Sequence, residues 1–185
     1  SSDFASLLST RPAGGSVYAA TGSGSTSSIA SGRISYVLGL QGACASFDTA
    51  CSAALTAYHA AHSALHRSES TDGLAAGINL MLTPTFGVMW ASAGLTSSLG
   101  RSFTWDTRAD GYARGEACIA VTLRAPTLRV SHAQIDALGS AVRQDGRSAS
   151  LTAPNGQAQQ SLLTAALEDA GTTVHALTVS EAHGT

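Results

Sequence analysis

Residues 47–55, FDTACSAAL, decide how this chain is read. The strand-like residues Ala45, Ser46 and Phe47 run into Asp48-Thr49-Ala50, and Cys51 then stands where an alanine-rich helical pattern begins. A cysteine in the first turn of a helix lies among unpaired backbone N–H groups, at the positive end of the helix dipole. Free cysteine has a pKa of about 8.5 and helix N-termini lower it, which favours the nucleophilic thiolate. A sharp strand-to-helix turn also presents its side chain outward, as the serine elbow of hydrolases does. The N–H of Cys51 is then placed to help hold an oxyanion in acyl transfer. Ser52, Ala53 and Ala54 are small and leave room for a substrate. The plainer alternative is that Cys51 is a small buried hydrophobe, as most free cysteines are. Cys44 and Cys118 lack the junction, and for them core filling is the expected role.

Outward from this stretch, strands alternate with helices, which argues for α/β layers. Residues 26–40 read as a helix capped by Thr26, Ser27 or Ser28 and ended by Gly39. Residues 44–47 read as a short apolar strand after a turn at Gly42. Residues 51–68 are the clearest helix, with Leu55, Tyr58, His62 and Leu65 along one side. A buried strand is expected over 74–82, stopped by Pro84, followed by a weakly helical stretch to residue 100. Residues 101–118 read as a long ordered loop and 119–125 as a strand. Another strand within 133–146 ends in a turn at Asp145-Gly146. Residues 155–171 predict a helix with Leu162, Leu163, Ala166 and Leu167 inward and Gly171 at its end. The last strand, from Val174, stops at His183. Residues 11–25 read as a Gly- and Ser-rich loop with a short strand at 16–20.

The composition sets limits. The chain has 185 residues, enough for one domain with a real core. Charged residues make up 12%, half the roughly 25% of ordinary proteins, so much of the surface is expected to face other protein. A net charge of -2 gives no reason to expect nucleic acid or an acidic membrane surface. No apolar run is long enough to span a bilayer, and the N-terminus lacks the pattern of a signal peptide. Three cysteines without CxxC spacing argue against a disulfide framework or a zinc site. A reducing compartment, cytoplasm or organelle stroma, fits that usage.

A nucleophilic cysteine needs a partner. His183 is the best candidate, because it follows a strand end and precedes Gly184, which permits close approach of backbone to ligand. His59, His62 and His66 share a helical stripe, but no carboxylate or cysteine completes a metal set, and a packed or solvated face is expected. GSGSTSS (22–28) lacks the GK[ST] of a phosphate loop and reads as a flexible loop with a helix cap. The alternating charges of 106–116 suggest a loop tied down by its own salt bridges.

Four stretches then carry a resemblance: SGRISYVLGLQGACASFDTACSAAL, RADGYARGEAC, LTAPNGQAQQ and SEAHGT, in that order. From about Pro12 to Thr185 the chain closely resembles the β-ketoacyl synthase (ketosynthase) domain of modular type I polyketide synthases. The resemblance implies a thiolase-like α/β fold of α-β-α-β-α layers. It implies that Cys51 carries the growing acyl chain as a thioester, its N–H serving as one oxyanion donor. His183 aligns with the first of two active-site histidines and is implied to stabilise the enolate formed by decarboxylation. Thr185 aligns with a threonine that hydrogen-bonds the pantetheine arm. The implied reaction joins the acyl group to a malonyl-type extender, carried on the phosphopantetheine of an acyl carrier protein. No metal or bound cofactor is implied, and the parent is expected to be a homodimer, paired beside the strand at 44–47.

The family's second histidine, its lysine and a Gly-Phe-Gly loop with the other oxyanion donor find no counterpart in the chain. Residues 1–185 therefore read as an interior piece of the domain, expected to be inactive alone. They hold the end of the N-terminal half, with the nucleophile, and the start of the C-terminal half. Smaller departures are Ala43 where the family usually has Pro, Ala53 and Ala54 after Ser52, and Ala117-Cys118 after Glu116. Two other readings remain at this point: the equivalent domain of a fatty acid synthase, and a non-catalytic chain-length partner with a structural role. Such partners usually lose the nucleophile, so Cys51 counts against the second.

Overall fold

The computed structural model describes residues 26–125, 127 and 135–183. Its elements are helix α1 (Ser27–Leu38), a 3-10 turn (Ala50–Ser52), α2 (Ala53–His66), β1 (Asp72–Asn79), α3 (Pro84–Ser92), β2 (Ala117–Arg124), α4 (Gly156–Asp169) and a second 3-10 turn (Val174–Ala176). β1 and β2 form a two-stranded sheet. They run antiparallel: Asp72 at the start of β1 lies beside Arg124 at the end of β2, and Asn79 at the other end reaches Gly115. The described residues fall into two compact units, one of 26–54, 76–121 and 182–183, the other of 55–75, 122–125, 127 and 135–181.

The first unit holds α1, the turn around Cys51, α3 and the long loop. Gly39 ends α1 as expected, with a left-handed φ of 66° and its N–H turned back on Ser35 and Tyr36. Thr26 occupies the N-cap position without a side-chain cap bond. The strand expected at 44–47 forms no ladder among the described residues. An apolar pattern favours a strand, but a strand also needs a neighbour. The strand expected over 74–82 and stopped by Pro84 instead ends at Asn79, and Pro84 opens α3 as its first residue, where its missing N–H costs nothing.

The loop expected at 101–118 runs irregularly to Glu116 and is tied as its charges suggested. Arg108 grips Asp106 at 2.7 Å and stacks over Phe103 at 4.5 Å. Other ties reach outside the loop: Asp110 accepts from the N–H and hydroxyl of Ser98, and Glu116 accepts from the N–H of Met81. Arg108 holds the Asp106 carboxyl below the usual carboxylate range, chiefly through its side-chain hydrogen bonds. A folded-state pKa that is depressed gives stability present above the unfolded value, about 3.9 for aspartate, and lost as pH falls through the folded value. Pepsin cleavage beside Phe103 and Trp105 is therefore expected to accelerate below about pH 4, relative to an unstructured peptide of the same sequence. Asp106→Asn should weaken that pH dependence, leaving the part due to Asp110, whose hydrogen bonds from Ser97 and Ser98 also hold its carboxyl below the usual range.

The second unit holds the buried core of the described residues: Leu65 of α2, Ala75 of β1, Ala125 and, unusually, His62. Gly73 of β1 lies against Ala61 of α2, close enough that an added Cβ would stand 3.4 Å from the alanine methyl. Leu55, expected on the packed side of α2, is instead exposed, as is Leu163 on α4. Asn155 caps α4, its side chain accepting from the N–H groups of Gln157 and Ala158. The expected turn at Asp145-Gly146 is present: Gly146 is left-handed, and Asp145 accepts from the N–H of Asn155.

Two more expected strands are not formed. Residues 135–145 are irregular, and 174–183 begin with a 3-10 turn and continue as coil. Both have the alternating or apolar pattern of strands, and neither has a ladder partner among the described residues. The expected strand at 16–20, Thr185, Gly184 and His132 lie outside the described residues.

Candidate active site

Asp48, Thr49 and Ala50 shape the turn that carries Cys51. The Asp48 carboxylate accepts from the N–H of Ala50 at 3.3 Å. The hydroxyls of Thr49 and Ser52 meet at 2.9 Å, and the Ser52 hydroxyl donates to the Thr49 carbonyl. Between these braces Ala50 takes a left-handed φ of 56°, a conformation that costs a residue with a Cβ about 1–2 kcal/mol. Such a cost persists where the surroundings over-determine the backbone. The bend turns the chain sharply into the 3-10 turn, and α2 follows from Ala53.

Cys51 therefore sits in the opening turn of the helical segment, as the sequence suggests, and its side chain is exposed. In this chain it is not the buried small hydrophobe of the plainer reading. Its own N–H makes no hydrogen bond among the described residues. An exposed sulfur and an uncommitted N–H at a helix mouth are what a thioester-forming centre requires. Cys44 and Cys118 are also exposed, against the expectation of core filling. Cys44 lies in the segment at 44–47, which forms no ladder among the described residues, and Cys118 on β2, seven of whose eight residues are exposed.

His183, also exposed, belongs to the same compact unit as Cys51, although residues 135–181 before it belong to the other. The chain thus returns at its end to the unit of the nucleophile. No sequence signal beyond the four-residue SEAH stretch foretold that return.

Three of the other histidines, His59, His62 and His66, lie together along α2 in the second unit, half-buried, buried and exposed respectively. The Ser140 hydroxyl lies 2.9 Å from Nδ1 of His59 and 3.2 Å from Nδ1 of His62. One hydroxyl carries one hydrogen, so it donates to one ring and accepts from the other. His62 is buried, its ring 4.4 Å from that of His66 and stacked on Tyr58. Among the described residues no three His, Cys, Asp or Glu side chains could hold a metal ion. This is the packed face expected of the 59-62-66 stripe. Ser140, which joins the rings, comes from a part of the chain that sequence reasoning read as a plain strand.

Comparison with known proteins places this geometry. The profile of the β-ketoacyl synthase N-terminal domain matches residues 2–127, and that of the C-terminal domain matches 134–185. The chain belongs to the β-ketoacyl synthase family. This ketosynthase chain is 40% identical over 169 residues to a phenolphthiocerol/phthiocerol polyketide synthase of Mycobacterium tuberculosis. It is 39% identical over 186 residues to pikromycin polyketide synthase component PikAII of Streptomyces venezuelae. These alignments cover 88% and 99% of the chain but only 8% and 5% of the two relatives.

Among solved structures, the ketosynthase from module 6 of the bacillaene synthase of Bacillus subtilis superposes with a TM-score of 0.71 at 32% identity. That match covers 85% of this chain and 29% of the other. The oxazolomycin ketosynthase domain OzmH KS7 of Streptomyces albus gives 0.73 at 30% identity, over 81% of this chain and 27% of that one. The fold is accordingly the thiolase-like α/β fold of ketosynthases, and the relatives named are polyketide synthases. No helix of the described residues is long and apolar enough to cross a membrane.

Proposed function

We propose that this chain carries the nucleophile of a polyketide-synthase ketosynthase, which lengthens an acyl chain by decarboxylative Claisen condensation. The observation that supports this most is Cys51: an exposed thiol in the opening turn of a helical segment, its N–H without a hydrogen bond among the described residues, in a chain of this family. The Cys51 thiolate attacks an incoming acyl thioester, the old C–S bond breaks, and the acyl group becomes a thioester on Cys51. A malonyl-type extender on the phosphopantetheine of an acyl carrier protein then loses carbon dioxide. The electron pair left behind forms an enolate, whose carbon attacks the Cys51 thioester carbonyl. The C–C bond forms, the C–S bond to Cys51 breaks, and the thiolate is regenerated.

The N–H of Cys51 donates to the oxygen that becomes negative in both acyl steps. His183 donates to the enolate oxygen. Thr185 hydrogen-bonds the pantetheine arm. No metal or tightly bound cofactor takes part, since both substrates arrive as thioesters. The partners are the acyl carrier protein and, in the family's manner, a second copy of the ketosynthase. Of the fatty acid and polyketide readings, the named relatives favour the second.

The test is product formation by the full-length protein from an acyl thioester and malonyl-loaded carrier protein, followed by mass spectrometry. The expected outcome is a β-ketoacyl carrier protein. With His183→Ala, acyl loading of Cys51 should stay near wild type, while carbon dioxide release falls by about 10²–10³-fold, the usual loss for one oxyanion donor. Loading that fails while decarboxylation persists would reverse the role given to His183.

A further inference from the structure

We propose that Gly77 of β1 and Ala54 of α2 are a positioning pair that sets where Cys51 stands. The inference rests on the reading of Cys51 as nucleophile and adds residues that touch no substrate. A Cβ built on Gly77 would lie 2.8 Å from the Ala54 Cβ and 3.9 Å from its Cα. Carbon atoms in contact prefer about 3.5–4.0 Å, so only glycine lets the strand come this near. The opposing atom is an alanine methyl, which has no rotamer that could swing aside. Relief must therefore come from the backbone of the turn itself.

That turn is short and tightly tied. The N–H of Ala53 bonds to the Ala50 carbonyl, so the residues around Cys51 move together with Ala54, three positions on. The left-handed φ of Ala50 shows that this backbone is held in place by what surrounds it. A Cβ at position 77 would push Ala54 by about 0.7–1 Å to reach normal contact. Displacements of about 1 Å are enough to cost a reaction roughly 10²-fold. Gly73, nearer the start of the same strand, supplies the control. Its added Cβ would meet Ala61 at 3.4 Å, at the edge of ordinary contact and far along α2 from the turn.

The experiment compares Gly77→Ala, Ala54→Gly, the two combined, and Gly73→Ala in the full-length protein. Each is followed by the rate and saturation of Cys51 acylation under an acyl thioester and by the midpoint of thermal unfolding. Gly77→Ala is expected to slow acylation at saturation by about 10–100-fold with little change in half-saturating concentration. The double variant, with the methyl moved from helix to strand, should recover most of that rate. Gly73→Ala should stay within about twofold. Wild-type acylation by folded Gly77→Ala protein, or no recovery in a folded double variant, overturns the pairing.

If Gly77→Ala alone does not fold, the double variant is compared with Ala54→Gly, where a Cβ at 77 now has room. Equal rates support the pairing, and a fall overturns it. Acyl groups that still load onto a Cys51→Ala protein would instead remove the nucleophile reading, a separate result.

Discussion

Cys51→Ala in the full-length protein is expected to end acyl loading altogether and to lower condensation by more than about 10⁴-fold, the order seen when a covalent nucleophile is removed. Decarboxylation of the malonyl carrier should survive, because the proposed reaction assigns that step to His183 and not to the sulfur. The structure makes this test more demanding. Cys44 and Cys118 are exposed like Cys51, so exposure cannot distinguish the three. What distinguishes Cys51 is the surrounding turn: the Asp48 brace on the Ala50 N–H, the left-handed Ala50 and an N–H at position 51 without a hydrogen bond among the described residues.

A brief treatment of the native protein with iodoacetamide, followed by peptide mapping, should therefore label Cys51 well ahead of the other two. Prior acylation should protect it. Equal labelling of all three cysteines, or acyl groups found on Cys44 or Cys118, would leave the turn with no chemical consequence. The same experiment separates catalysis from scaffolding. A chain-length partner without activity would accept no acyl group even with Cys51 intact.

The helices and the turn that carries Cys51 were legible in the sequence because they depend on nearby residues. Alanine and leucine periodicity, Gly39 and Gly171 at helix ends and Asn155 at a cap are all local signals, and α1, α2 and α4 lie within two residues of where those signals place them. Strands were less legible. The stretches at 44–47, 135–145 and 177–183 have strand-like residues but no ladder among the described residues, since pairing depends on a distant neighbour.

Burial was legible only in part. Leu65 is buried as its periodicity suggested, but Leu55 on the same stripe is 72% exposed. Tyr36, Val37 and Trp105 are also exposed, in a chain whose low charge had already pointed to surfaces that face other protein. The bonds of Ser140 to two histidines are contacts across more than 70 residues of sequence, and residues 182–183 rejoin the unit of Cys51 after a long excursion through the other. No local pattern encodes such contacts.

The largest expected effect on stability belongs to Gly111, in a loop that sequence reasoning described only by its charges. Its φ of 132° is a backbone conformation that residues with a Cβ rarely adopt. Its neighbours leave no space either. An added Cβ would stand 2.6 Å from the Ser97 nitrogen and the Thr96 carbonyl carbon, and 2.8 Å from the Leu95 oxygen. All three are backbone atoms, so no side chain can yield. Nor can the segments part freely, because the N–H of Tyr112 bonds to the Leu95 carbonyl and the N–H of Ser97 to the Tyr112 carbonyl. Thr96 and Tyr112 form a parallel bridge across the same contact.

Backbone strain of about 1–3 kcal/mol and overpacking of about 1–3 kcal/mol act together at this one position. Gly111→Ala should therefore destabilise by roughly 3–5 kcal/mol, large on the scale of point mutations. Gly115 is the control four residues on, in the same loop, with nothing within 4 Å of an added Cβ and no positive φ. Denaturant unfolding of the two variants decides the matter. Gly115→Ala should match wild type within about 0.5 kcal/mol. A Gly111→Ala protein equally close to wild type would mean that the loop is free to move off the 95–97 segment, and that its bonds to Leu95, Ser97 and Ser98 contribute little to holding it there.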